Sequence, residues 1–171
     1  MKTILSKQDI QNLVQQKPPL IESYINLEEQ LQPNGFDLTL KEIGAPQDEG
    51  QIGISNAQRK LSKLGPLAFD GTDCVDLAPG AYVITFNEIV HLPKNVMALG
   101  APRSSLLRCG VSIHMAVWDA GYSGRGQSLM VVHNPLGFRL QKNSRIAQLV
   151  FFDLAAETEG YSGAYQRENI K

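Results

Sequence analysis

The stretch APRSSLLRCGVSIHMAVWDAGYSGRG, residues 101–126, sets a cationic, hydroxyl-rich turn and a carboxylate–aromatic turn within one hairpin's reach of each other. Arg103-Ser104-Ser105 follow Pro102 at the end of a predicted strand. Asp119-Ala120-Gly121-Tyr122 follow the strand-prone pair Val117-Trp118. Working outward, the same rhythm of short β-prone segments and turns continues. Strands are predicted at Tyr82–Phe86, Val90–Leu92, Val96–Gly100, Val111–His114, Leu129–His133, Phe138–Leu140 and Ile146–Asp153. Turns are predicted at Pro79-Gly80, Pro93-Lys94-Asn95, Ala120-Gly121, Asn134-Pro135-Leu136-Gly137 and Lys142-Asn143. Many short strands at this spacing, with neither strand–helix alternation nor an internal repeat, predict an all-β sandwich or barrel-like roll.

The N-terminal part is less regular. Ser6 and Asp9 have capping-box spacing, and Ile10, Leu13 and Val14 recur at helical spacing, so a short helix is expected over about Lys7–Gln16, ended by Lys17-Pro18-Pro19. Residues 20–31 fit either a strand or an irregular cover. Gln32-Pro33-Asn34-Gly35 reads as a turn into a short strand, Phe36–Leu40. Residues 44–57 read as a loop or an exposed hairpin, and 58–67 are ambiguous. A single β domain is expected over 1–155, and a polar tail over 156–171 that stays mobile until something orders it.

The chain has 171 residues, 43% hydrophobic and 19% charged, with a formal net charge of -1. That balance gives no general attraction to nucleic acid or to an anionic membrane, so an anionic ligand needs a local cluster. The opening MKTILSKQDI lacks an apolar core, and no stretch approaches a membrane span. A soluble, cytoplasmic protein is the expectation, with Cys74 and Cys109 as free thiols.

Arg103, Ser104 and Ser105 offer a guanidinium fork, two hydroxyls and turn amides. They form either a phosphate site or a capped turn whose arginine makes a surface salt bridge. Arg108 can join that cluster or form an intersubunit pair. Asp119 can take a proton from water or anchor a sugar hydroxyl, and the Tyr122 ring can lie against a sugar and exclude a 2′-hydroxyl. The alternative is an Asx turn whose tyrosine packs on the core. Asp37 can hold a metal's water shell or pair with an arginine. Gln148, alone on an apolar strand, needs a backbone or ligand partner. His91, His114 and His133 are scattered, and no dinucleotide, P-loop or nucleophile-elbow motif occurs.

These motifs resemble the superfamily of trimeric dUTP pyrophosphatases and dCTP deaminases. The resemblance rests on NGFDL (34–38), APRSSLLRCGVSI (101–113), AVWDAGYSGRG (116–126), SRIAQLVFF (144–152) and the tail GYSGAYQ (160–166). ILSKQDI and Val90-His91-Leu92-Pro93 resemble the deaminase branch. The resemblance implies a distorted β-jelly-roll that forms a homotrimer with shared active sites. It implies a triphosphate substrate with Mg2+ held mainly by phosphates and water. In that frame Arg103, Ser104, Ser105 and Gln148 serve the phosphates, Asp119 activates water, and Tyr122 stacks on deoxyribose. Asp37 lies near the metal's water shell, and Tyr161, Tyr165 and Gln166 contact nucleotide from the closing tail.

One segment decides between the two chemistries. Deaminases of this superfamily carry L-E-x-x-N on the strand after the G-[WFY]-x-G turn. Here the stretch is Leu129-Met130-Val131-Val132-His133-Asn134, which puts Val131 at the glutamate position, and no acid lies between Asp119 and Asp153. Valine cannot shuttle a proton, so the implied activity is hydrolysis of dUTP to dUMP and pyrophosphate. In this reading, backbone groups of the hairpin after Tyr122 read uracil. A dCTP deaminase or bifunctional enzyme is the alternative, and a non-catalytic nucleotide-binding regulator the second. The tail GYSGAYQ departs from the glycine-rich GFGSTG of ordinary trimeric pyrophosphatases.

Overall fold

The computed structural model describes residues 4–170, so the outer ends of the expected domain and tail, 1–3 and 171, lie outside the described residues. Helix α1 (Lys7–Val14) forms as its capping box demands. Ser6 Oγ accepts from the Asp9 amide at 3.4 Å, and Asp9 Oδ2 accepts from the Ser6 amide at 3.1 Å. Residues 20–31 become β1 (Ile21–Glu22) and α2 (Leu27–Gln30), the latter capped by the Asn26 side chain.

The remaining strands are β2 (Leu31–Gln32), β3 (Gly35–Pro46), β4 (Leu64–Pro66), β5 (Cys74–Leu77), β6 (Gly80–Phe86), β7 (Ile89–His91), β8 (Val96–Pro102), β9 (Val111–His114), β10 (Ser123–Gly124), β11 (Gln127–Val132), β12 (Phe138–Gln141) and β13 (Arg145–Asp153). The main sheet runs β8–β13–β3–β6–β11–β9, with β2 and β4 paired to β3. Its end strands β8 and β9 touch, so the sheet nearly closes into a barrel. A second sheet, β1–β7–β10, and a ribbon, β5–β12, complete a mostly β architecture of the expected class.

Three local expectations change. β3 runs on past Leu40 to Pro46, and Gly44–Pro46 pair with β4, giving the exposed hairpin that 44–57 allowed. β5 was not anticipated. Only Val75 and Leu77 alternate inward, and the ribbon is fixed from outside by Arg139, which reaches Asp70 and Asp76 at 2.7 Å each. The Ser104-Ser105 turn is the start of a five-residue helix, α3 (Ser104–Arg108), preceded by Arg103 in extended conformation.

β3 is central because it is shared. Its first half pairs with β13 (Asp37 opposite Gln148) and its second with β6 (Ile43 opposite Ile84), with register shifts on either side of the crossover. Gly35 permits the close approach of β13: a Cβ there would lie 2.5 Å from the Leu149 carbonyl oxygen. Phe36, Leu38, Leu40, Ile84, Phe86 and Phe151 are fully buried around this crossing. Among the described residues no helix is long and apolar enough to cross a membrane. Cys74 and Cys109 are both free thiols.

A buried polar knot locks β3 to its neighbours. Glu88, with no exposed surface, accepts from the Thr39 amide (2.9 Å), the Thr39 hydroxyl (2.6 Å) and the Gln30 amide (2.7 Å). Gln30 also donates to the Asp37 carbonyl oxygen at 2.8 Å. Burial pushes the Glu88 carboxyl above its ordinary value near 4.5, against the pull of these donors. The folded state therefore binds this proton more tightly than the unfolded chain, and the associated stability fades as pH rises from about 4.5 through the folded value. Glu88→Gln turns an acceptor into a donor that faces donors, at a cost of about 1–3 kcal/mol. In urea unfolding, the gap between wild type and Glu88→Gln should be widest in acid and narrow as pH rises. A gap independent of pH would show that Glu88 does not titrate in that window.

Candidate active site

The first cluster forms where β3, β8 and β13 meet. Asp37 is 1% exposed; its Oδ1 accepts from the Gln148 amide at 3.1 Å, while Oδ2 faces Arg103 Nε at 3.3 Å and Arg145 at 3.6 Å. Arg103 also donates to the Arg145 carbonyl oxygen at 3.3 Å, and Arg145 to the Glu29 carbonyl oxygen at 2.5 Å. Burial raises the Asp37 carboxyl, and the Gln148 amide and the two guanidiniums pull it back. Two partly exposed arginines around one carboxylate leave the cluster cationic, a local exception in a chain of net charge -1. The Ser104 and Ser105 side chains lie exposed beside it on α3, and Arg108 is exposed in the helix's last turn.

Of the two roles open to Asp37, the structure forms the arginine pairing. Asp37 Oδ1 is engaged by the Gln148 amide and its Oδ2 by the two guanidiniums. Among the described residues no group of three His, Cys, Asp or Glu could hold a metal ion by itself.

The second cluster is the turn at Asp119. Trp118 exchanges both backbone hydrogen bonds with Ala98 on β8, and Gly121 donates to the Leu92 and Pro93 carbonyl oxygens. Held on both sides, the chain reverses at Gly121, whose φ of +83° suits glycine. Asp119 stays exposed, and Trp118 and Tyr122 are buried with ring centroids 5.4 Å apart, edge to face. These residues open on a cavity of about 660 Å³, a size suited to a small ligand. Pro46, Leu61 and Leu64 of the β3–β4 arm wall its other side.

The tail is docked against this turn. Tyr161 stands edge to face on Tyr122 at 5.9 Å, and the Arg59 guanidinium lies over the Tyr165 ring at 5.2 Å. Tyr161 and Tyr165 line the cavity, as a nucleotide contact requires. Gln166 does not; its side chain donates to the Gly121 carbonyl oxygen and accepts from the Ser123 amide, fastening the tail in a smaller neighbouring depression. In this position Gln166 anchors the tail to the hairpin. The hairpin backbone is also engaged: the Ser123 amide by Gln166, and the Arg125 amide by the Glu168 carbonyl oxygen. Those two amides are not free to read a base while the tail lies there.

Sequence reasoning missed two residues. Arg145 shares Asp37 with Arg103, and the signal was its place just ahead of Ile146-Ala147-Gln148 on the same strand. Glu168 lines the cavity and accepts from the Tyr122 hydroxyl at 2.9 Å, and burial raises its carboxyl. Glu168 arrives from the tail, far in sequence from the Asp119 turn, and carries no local signal.

The structure does not bring the two clusters together. None of Asp37, Arg103, Ser104, Ser105 or Gln148 lines the Asp119 cavity. Arg103 lies five residues beyond Ala98, the backbone partner of Trp118, a separation of roughly 16 Å along an extended strand.

The family described as dCTP deaminase-like matches residues 4–154. A protein of Methanosarcina acetivorans named probable deoxyuridine 5′-triphosphate nucleotidohydrolase is 49% identical over 170 residues, 99% of each chain. One of the same name from Archaeoglobus fulgidus is 45% identical over 98% of each. In fold, the chain is similar to the crystal structure of 2′-deoxycytidine 5′-triphosphate deaminase from Agrobacterium tumefaciens, with a TM-score of 0.68 at 20% identity. That match covers 89% of this chain and 48% of the other, so this chain spans about half the length of that deaminase. With a family match that runs from α1 to the end of β13, and full-length relatives near half identity, the chain belongs to the dCTP deaminase-like family.

Proposed function

We propose that this protein is a dUTP diphosphatase, hydrolysing dUTP to dUMP and pyrophosphate. The observation that carries the reading is the Asp119 cavity: an exposed carboxylate beside a buried Trp118–Tyr122 pair, in a chain with valine where deaminases hold their glutamate. The archaeal relatives' names support it. Asp119 orients a water and takes its proton as the oxygen bonds to the α-phosphorus; the bridging bond to the β-phosphate breaks and pyrophosphate leaves. Arg103 and Arg145, with the Ser104 and Ser105 hydroxyls and Gln148, bind the phosphate oxygens and stabilise their developing charge. A Mg2+ ion, if carried on the triphosphate and held mainly by its phosphates and water, would screen the phosphate charge that Arg103 and Arg145 face. Tyr122 packs on deoxyribose, and the tail from residue 156 closes over the nucleotide through Tyr161 and Tyr165.

The separation of the two clusters supports a homotrimer in which Arg103 of one copy serves the Asp119 cavity of another. Leu99, Leu107 and Val117 expose about half their surface. One observation favours the deaminase alternative, namely Glu168, an acid within the cavity. Its carboxylate is committed to the Tyr122 hydroxyl, which leaves hydrolysis as the better reading.

Following nucleotides and pyrophosphate together, purified protein with magnesium should yield dUMP and pyrophosphate from dUTP and no product from dCTP. Formation of dUTP or dUMP from dCTP would establish deamination instead. Asp119→Asn should lower kcat by about 10²–10⁴-fold, and near-normal turnover would remove Asp119 as the base. Tyr122→Ala should narrow the preference for dUTP over UTP; an unchanged preference would mean that the sugar is selected elsewhere. If sites are shared, Arg103→Ala and Asp119→Asn chains, each inactive alone, should regain activity when co-expressed and assembled together. No recovery in verified mixed oligomers would confine each site to one protomer.

A further inference from the structure

Tyr122 is held at both ends. Its ring meets Trp118 and Tyr161 edge to face, at 5.4 and 5.9 Å. Its hydroxyl is boxed by β10, since a Cβ on Gly124 would lie 2.5 Å from it, and on the open side it donates to Glu168 Oε1. Glu168 does not reach that hydroxyl by chance of rotamer. The Arg167 amide donates to the Ser123 carbonyl oxygen at 2.6 Å, and the Arg125 amide to the Glu168 carbonyl oxygen at 2.9 Å. Arg125 and Asn169 exchange two further hydrogen bonds at 3.0 Å, each from a side chain to the other's carbonyl oxygen. Residues 166–169 are thus zipped along Ser123–Arg125, and of those four only Glu168 turns into the Asp119 cavity.

We propose that Glu168 is a positioning residue for Tyr122, fixing the phenol so that the ring excludes a ribose 2′-hydroxyl. The inference rests on the dUTP reading. A ring that rejects one extra oxygen by contact must be held to a fraction of an ångström, because a shift of about 1 Å makes the room. Packing against Trp118 and Tyr161 fixes the ring's tilt, and the hydrogen bond fixes its reach into the cavity. Burial raises the carboxyl of Glu168, and glutamine retains an acceptor oxygen at the same place, so the amide serves as the conservative variant.

The test compares wild type, Glu168→Ala and Glu168→Gln in two readouts. The first is the ratio of kcat/KM for dUTP to that for UTP. It should fall by about tenfold or more in Glu168→Ala, mainly through faster use of UTP, and be retained in Glu168→Gln. The second needs no turnover: the 13Cζ resonance of Tyr122, assigned by its loss in Tyr122→Phe, should move in Glu168→Ala and hold in Glu168→Gln. An unchanged ratio in Glu168→Ala, or an equal fall in kcat/KM for both nucleotides, overturns the positioning role. If wild type turns over neither nucleotide, the dUTP reading fails, and the resonance alone decides the contact. A Tyr122 signal that does not move then overturns the inference.

Discussion

The fold turns on the burial of two carboxylates against one strand. Asp37 and Glu88 reach the interior within two residues of each other along β3, through the side chains at Asp37 and the Thr39 contact. A buried carboxylate is tolerated only when its oxygens are met by donors. The donors come from several elements: Gln30 from α2, Thr39 from β3 itself, Gln148 and Arg145 from β13, and Arg103 from just past the end of β8. These elements are thereby fixed in register against β3. A one-residue slip of β3 would swap the face of Phe36, Leu38 and Leu40 with that of Asp37 and Thr39, and would carry Asp37 away from its donors. The same arrangement sets two guanidiniums side by side, so the demand of the core for paired charge also builds the cationic cluster.

That coupling explains why the cationic cluster and the Asp119 turn sit apart. The first is dictated by β3 and its partners; the second hangs between β8 and the Leu92–Pro93 edge, held by the Trp118–Ala98 bridge and the Gly121 amide. β8 belongs to both, carrying Ala98 near its start and leading into Arg103 at its end. A strand is a rigid spacer at this length, so neither cluster can approach the other without breaking the pairing of β8 with β13.

Elements with a strong local signal were legible in the sequence. The capping box at Ser6 and Asp9 gave α1, and alternating apolar residues gave β6, β8, β9, β11 and β13 to within a few residues. Asp119, Tyr122, Tyr161 and Tyr165 were grouped by motif before any geometry, and all four line one cavity. What was not legible depends on tertiary partners. β5 exists because β12 pairs with it from Cys74 opposite Gln141 to Leu77 opposite Phe138, with Arg139 of β12 reaching Asp70 and Asp76 from outside. The second half of β3 exists because β4 and β6 pair with it. Arg145 gained its significance from a carboxylate 108 positions earlier in the chain. Glu168 did so from a phenol 46 positions earlier.

The tail's manner of attachment differs in kind from that of the core. Residues 158–169 are held by hydrogen bonds to the backbone of neighbouring turns, by the Tyr122–Glu168 hydrogen bond and by two ring contacts, while their side chains remain half-buried or exposed. Segments held that way open at a free energy below that of global unfolding, because little apolar surface must be uncovered. Their grip is nonetheless specific: a Cβ on Gly121 would lie 2.6 Å from Gly160 Cα, so the two glycines meet at a spacing that other residues forbid. Seated there, the tail brings Tyr161, Tyr165 and Glu168 into the lining of the Asp119 cavity.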